Sequence, residues 1–431
     1  MNQASATGGT SHKSGWFSYE NGILLILGFG FGLIFFDRNA LGFLTIAIQG
    51  ELGLSLEQIG WLNSGLAAAW ALSAYFVGAW SDRIGTRKLF VLASIIIFSL
   101  CSAISGFATG FAFLLAARIL MGLAEGPYLP ICLSIINDVS SPHRRGVNAG
   151  IMQNVSAALI GTFLGGNLIP RLAAMFDWRV TFFLTALPGL ICAVLVLLYL
   201  REPKHEKSAV ASNPEHRIGL SALTLLKQHN IRVCCVVSVF MVAWFLTAFA
   251  FLPAYLEASR GFTNVEAGGV FSIAGLATLT CGFLVTGLSD YVGRKPAIIV
   301  CCFLGTVTAL AALYFDGPAW MLSILFFAGF CGTGAFPLFM GVVPGETVSR
   351  SMAATSMGLV VCAGELIGGV AVPPLAGRIG DTTALGLEAP MIVLGVCAFG
   401  GGVAALFLQE TAPSKVGMPT ADITGEGTNS V

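Results

Sequence analysis

Asp37 and Arg38 stand side by side inside the first long apolar stretch of the chain, between ILLILGFGFGLIFF (23–36) and ALGFLTIAI (40–48). A second acidic and basic set, Arg118 and Glu125, lies inside another such stretch. A bilayer crossing takes roughly 20 apolar residues, so neither flank of the Asp37–Arg38 pair suffices alone, and in a spanning helix the pair lies at membrane depth. A charge there costs at least ~2.5–3.5 kcal/mol on insertion scales, so it marks a partner and a task. Seven residues are close to two helical turns, which puts Arg118 and Glu125 on one face, about 10 Å apart along the axis. Burial disfavours an ionised carboxylate and a neighbouring guanidinium favours it. An anion that competes for the guanidinium tips that balance toward proton uptake, the minimum needed to couple a proton to an anion. Permanent ion pairs bracing one helix against another are the competing reading.

Other polar residues in apolar runs extend the candidate set. Glu365, in AGEL, is a third intramembrane acid, suited to a substrate hydroxyl or ammonium, or to titration. Gln153 and Asn154 are adjacent amides, of which one is expected to face a cavity. The eleven cysteines are scattered through apolar segments with no C-x-x-C or His/Cys cluster, so they read as small buried hydrophobes and no metal site is expected. The sequon Asn154-Val155-Ser156 falls inside a span and carries no meaning as a glycan acceptor. The polar first 20 residues carry one Lys and no A-x-A site, so no removed signal peptide is read there.

These residues need a membrane scaffold, and the composition supplies one. Of 431 residues, 56% are hydrophobic before 53 glycines are counted, and only 10% are charged. Soluble domains are far less apolar, so the chain reads as an all-α, multi-pass membrane protein. Apolar segments fall at roughly 22–48, 57–80, 89–108, 110–138, 146–170, 178–200, 230–257, 266–288, 296–315, 317–345, 353–379 and 389–408. The polar stretch 201–229 is the one long internal break. The expected organisation is a tail (1–20), a six-helix half (21–200), a central loop (201–229), a second six-helix half (230–408) and a second tail (409–431). With both termini on the cytoplasmic side, sixteen Lys and Arg lie on that side and four on the other, which sets the orientation. The bacterial inner membrane is the expected location.

The halves repeat. Asp82 and Asp290, Gly85 and Gly293, Arg87 and Lys295, Asp138 and Glu346, and Glu202 and Glu410 are each 208 residues apart, all at expected cytoplasmic helix ends. Parallel repeats of this kind place a substrate site near the midplane, between the halves. The second half has diverged where the charges lie: with Pro130 and Pro337 in register, Leu325 stands opposite Arg118 and Gly332 opposite Glu125. Patterns such as Gly28-x3-Gly32, Gly161-x3-Gly165 and Gly364-x3-Gly368 are expected to be close-packing sites. GFGFG is no nucleotide loop, since no strand precedes it.

The loop GAWSDRIGTRK (78–88) resembles the signature loop of the major facilitator superfamily, and GLSDYVGRK (287–295) is a degenerate copy in the second half. The resemblance implies the twelve-helix major facilitator fold in two six-helix halves. It also implies a conformational latch at Gly78, Asp82, Arg83, Gly85 and Arg87, echoed by Asp290, Gly293 and Lys295; positive-inside charge alone is the plainer reading. Within the superfamily, the helix-1 Asp-Arg pair and Arg118-x6-Glu125 (RILMGLAEGPYLP) resemble the anion:cation symporters. That resemblance implies Asp37 and Glu125 as proton-handling carboxylates and Arg38 or Arg118 as the substrate carboxylate's partner. It further implies a cavity-lining aromatic at Trp70, for which core packing is the alternative. Glu365 departs from the pattern, because related sugar-acid transporters carry Asn there.

The expected function is proton-coupled import of an organic carboxylate, such as a sugar acid or aromatic acid, by alternating access. An exchanger without net proton coupling and a transporter-like nutrient sensor are the alternatives. No enzymatic constellation is present, and no cofactor beyond the proton is expected. The expected partners are a small organic anion and the lipid bilayer, with no nucleic acid and a monomeric chain.

Overall fold

The computed structural model describes residues 18–84, 86–141, 144–202, 224–349 and 352–416. Twelve long helices run α1 (Tyr19–Leu52), α2 (Leu56–Ile84), α3 (Arg87–Ser105), α4 (Phe111–Val139), α5 (Val147–Met175), α6 (Trp178–Tyr199), α7 (His229–Ala258), α8 (Asn264–Val292), α9 (Arg294–Tyr314), α10 (Ala319–Thr347), α11 (Thr355–Thr382) and α12 (Glu388–Ala405). A four-residue turn, α13 (Pro413–Val416), follows. No β-strand occurs among the described residues. Only helices satisfy every backbone group inside hydrocarbon without a closed barrel, so an apolar chain has little other choice.

Eleven of the twelve are long and apolar enough to cross a membrane. The exception, α2, has 29 residues, or about 44 Å at 1.5 Å per residue, enough to cross a core of roughly 30 Å. Its apolar run is diluted by Glu57, Asn63, Ser64 and Ser73. It packs extensively on α4 and on α11, so protein contacts take the place of lipid.

Local signals set the helix ends. Ser18 accepts from the Asn21 N–H to start α1, and Asp177 accepts from Val180 N–H to start α6. Thr263 and Glu266 form a capping box at α8. Gly53, at φ 65°, ends α1 in the left-handed region that glycine enters without steric cost.

The halves meet most closely at the end of the bundle away from the termini. There Asp381, at the end of α11, accepts the Leu56 and Glu57 N–H groups of α2 at 2.9 and 2.8 Å. Asn264 on α8 donates to the Phe43 carbonyl on α1 at 2.7 Å. A Cβ on Gly377 would lie 2.2 Å from the Leu56 carbonyl, and one on Gly268 would lie 2.3 Å from the Gly166 carbonyl. Glycine at these points lets backbones of the two halves touch.

Candidate substrate and proton site

All four charges of the first half converge on one buried cluster between α1 and α4. Arg38 Nε donates to Glu125 Oε2 at 2.8 Å, with the Glu125 side chain fully buried and that of Arg38 18% exposed. The Arg38 guanidinium lies over the Trp70 ring at 5.2 Å and the Phe35 ring at 5.6 Å, contacts an aromatic face favours through its quadrupole. Trp70 is thereby a wall for the arginine.

Asp37 is 1% exposed and points away from Arg38, toward α3 and α6. Ser102 Oγ donates to Asp37 Oδ1 at 3.1 Å, and the Ser102 and Thr185 hydroxyls are 2.9 Å apart. Arg118, also 1% exposed, donates from Nη1 to the Asp37 backbone carbonyl at 3.4 Å and lies over the Phe182 ring at 5.4 Å. Its Nε and Nη2, with Arg38 Nη2 and Glu125 Oε1, have no hydrogen-bond partner among the described residues. Leaving a buried polar group unpaired costs about 1–3 kcal/mol, more when it is charged. Such groups are therefore poised to take a ligand's polar atoms.

Those guanidiniums face a cavity of about 50 Å³ at the interface of the halves. Arg38 and Arg118 line it from the first half; Phe245, Leu246 and Phe249 on α7 line it from the second. Glu365 lies on α11 within a π-helical segment, Gly364–Gly369, a helix distortion common at functional sites. It is half-buried and makes no hydrogen bond or ion pair with a described residue. Its Oε2 lies 3.3 Å from where a Cβ on Gly369 would sit, and Leu246 Cδ1 lies 2.8 Å from the same point, so the acid borders the cavity wall. Gln153 and Asn154 occupy a π-helical turn of α5, Ile151–Val155; Gln153 is exposed, Asn154 half-buried, and neither lines this cavity.

The residues that the resemblance nominates for a latch sit at the terminal end. Arg87 pairs with Asp138 between α3 and α4. In the second half the anchor shifts by one residue. Arg294, not Lys295, makes the ion pairs, to Asp290 at 2.6 Å and Glu346 at 3.1 Å. Lys295 contributes its backbone N–H to Glu410 at 3.2 Å. Gly293 adopts φ 115°, and a Cβ there would lie 2.5 Å from Glu410 Oε2. Gly78, Asp82 and Arg83 fall on α2, but their side chains lie outside the described residues, as does Gly85 entirely.

Outside the spans, Glu410 is the informative titrating group. Burial opposes its charge, but N–H donors from Ala412, Arg294, Lys295 and Thr411 outweigh that and hold its carboxyl below the ordinary value. At the corresponding place in the first half, Glu202 accepts the Lys88 N–H at 3.3 Å.

Sequence reasoning missed Ser102, Thr185, Phe245, Leu246 and Phe249. The repeat held a signal for two of them: Phe245 and Leu246 stand 208 residues after Asp37 and Arg38. The two hydroxyls had none, since serine and threonine are frequent in these helices.

Residues 27–373 match the family model described as Major Facilitator Superfamily. The hexuronate transporter of Bacillus subtilis (strain 168) is 31% identical over 314 residues, covering 70% of each chain. The sialic acid transporter of Escherichia coli (strain K12) is 26% identical over 389 residues, 87% of this chain and 88% of that protein. The 3-(3-hydroxy-phenyl)propionate transporter of the same strain is 26% identical, covering 84% of this chain and 89% of that protein. Among solved structures, a D-xylose-proton symporter superposes with a TM-score of 0.75 at 17% identity, covering 91% of this chain and 99% of the other. A bacterial homologue of the human lysosomal transporter Spinster, inward-facing and occupied, superposes with a TM-score of 0.73 at 20% identity, covering 90% and 96%. With the fold, the paired halves and the matched family in agreement, the chain belongs to the Major Facilitator Superfamily and is a multi-pass membrane transporter, not an enzyme.

Proposed function

We propose that this transporter carries an organic carboxylate across the membrane together with protons. One observation carries the reading: Arg118 and Arg38 line an inter-half cavity and keep buried guanidinium N–H groups without a partner among the described residues, beside two buried carboxyls. A carboxylate matches the planar fork of an arginine and forms two parallel hydrogen bonds to it. The relatives named for hexuronate, sialic acid and a hydroxyphenyl propionate all handle carboxylates, which supports the class.

Proton coupling follows from charge balance. Asp37, Glu125 and Glu365 face two guanidiniums, so the site fully ionised carries one negative charge in excess. A bound carboxylate adds another, in a medium where unbalanced charge is costly. Taking Arg38 from Glu125 leaves that carboxyl without its ion-pair partner, and protonation is its cheapest relief. Release of the anion restores the Arg38–Glu125 pair and expels the proton.

The orientation adopted, with termini in the cytoplasm, puts the end joined by Asp381 and Asn264 on the extracellular side. Rocking about the midplane exposes the same groups to each side. In proteoliposomes, addition of a transported acid is expected to alkalinise the external medium in step with uptake. Uptake without proton movement would replace this reading with an exchanger or facilitator.

A further inference from the structure

The carboxylate reading fixes one end of the substrate, and the remaining wall of the cavity describes what is attached to it. Among the fully buried side-chain atoms on this wall, the donors without a partner are all guanidinium: Arg118 Nε and Nη2, and Arg38 Nη2. The first half's two amides on this wall each spend a donor on backbone, Asn39 on the Gly161 carbonyl at 3.0 Å and Asn63 on the Ile59 carbonyl at 3.1 Å. Opposite them the second half presents Phe245, Leu246 and Phe249. The Phe245 and Phe249 rings are 4.4 Å apart, and Phe249 meets Phe271 and Phe330 edge-on at 4.9 and 6.2 Å. This wall is aromatic and apolar.

We propose that the preferred substrate is an aromatic monocarboxylate bearing no more than one or two hydroxyls, rather than a polyhydroxylated sugar acid; this rests on the carboxylate reading above. A sugar acid carries a hydroxyl on nearly every carbon, and against phenylalanine each loses its water with nothing in return. A ring in the same place gains edge-to-face contacts with Phe245 and Phe249. Glu365, bordering Leu246, is the second half's lone acidic acceptor near this wall among the described residues, so it serves a ring hydroxyl and not a row of them. Rocking widens the gap, at present about 50 Å³, but leaves unchanged the faces that the two rigid halves present.

The test is calorimetric titration of the purified full chain in detergent with benzoate, 3-hydroxybenzoate, glucuronate and hexanoate. The aromatic acids are expected to bind at least ~10-fold more tightly than glucuronate or hexanoate. Phe245→Leu keeps apolar volume and removes the ring; it is expected to weaken benzoate roughly 5-fold while leaving glucuronate unchanged. Glucuronate binding as tightly as benzoate, and lost in Arg118→Lys, would overturn the aromatic assignment and leave the carboxylate reading standing. Hexanoate equal to benzoate in both proteins would overturn the demand for a ring. Binding of none of the four acids would overturn both.

Discussion

The two halves agree at their terminal ends and part company at the midplane. At the terminal end, Arg87–Asp138 in the first half is answered by Arg294–Glu346 in the second, and Glu202 at the Lys88 N–H by Glu410 at the Arg294 and Lys295 N–H groups. At the midplane, Asp37 and Arg38 are answered by Phe245 and Leu246, Arg118 by Leu325 and Glu125 by Gly332. Capping a helix start and neutralising a buried arginine are needs both halves share, so the duplicated solution persists. On the proposed function, anion and proton chemistry needs one charged wall; a second would leave more buried charge to satisfy. Gly332 has lost even the space for an acid, since a Cβ there would lie 2.9 Å from the Cys301 carbonyl and 3.4 Å from Gly305 Cα.

The comparison breaks first if the charged wall is dispensable. Asp37→Asn and Glu125→Gln are each expected to abolish concentrative uptake driven by a proton gradient, while at least one retains counterflow exchange. Full accumulation in both variants would remove proton handling from the first half. Next in size, Arg118→Lys keeps the charge and loses the fork, with an expected fall in substrate affinity of about 10- to 100-fold, or ~1.4–2.8 kcal/mol. Unchanged affinity in a binding titration would make Arg118 a brace.

A smaller effect tests the contacts that join the halves at the end away from the termini. Asp381→Ala removes an acceptor that one half lends to the helix start of the other. A lost N-cap is worth ~1 kcal/mol, so the outward-open population is expected to rise about 5-fold. Labelling by a membrane-impermeant thiol reagent at Ser64→Cys, buried here against the Gly369 carbonyl, would report it; an unaltered rate removes Asp381 from the closure.

The smallest effect is at Glu410, where solvent screens much of the interaction. Its folded-state carboxyl titrates below the ordinary 4.5, so the stability it lends is present above that pH and is lost as pH falls through the folded value. Glu410→Gln is expected to lower Tm by a degree or so at neutral pH, at a cost of a few tenths of a kcal/mol. The gap to the parent should close well below pH 4.5, and a gap that persists there would assign the loss to packing.

Much of this was legible in the residues. Twelve apolar segments match the helices to within a few residues, because hydrophobic run length is what a bilayer reads. Asp37, Arg38, Arg118, Glu125 and Glu365 announced themselves as charges in apolar runs. The repeat at 208 residues placed Glu202 and Glu410 at equivalent helix ends, and the structure has both accept backbone N–H groups there. The repeat misassigned the anchoring cation, since Arg294 and not Lys295 reaches Glu346. A one-residue difference is 100° of helix rotation, and charge type alone does not resolve it. One of the adjacent amides Gln153 and Asn154 was expected to face a cavity, yet neither lines this one.

By itself, the sequence determined that the chain lives in a membrane, that its halves are copies, and that five ionisable groups must be accommodated at depth. Composition, period and spacing are properties of the chain, and they suffice for that. The tertiary structure decided who meets whom. Glu125 answers to Arg38 on another helix rather than to Arg118 on its own, and Asp37 turns toward Ser102 and away from Arg38. The rotational setting of one helix against the next is fixed by packing summed over whole faces, and no local stretch of residues encodes it.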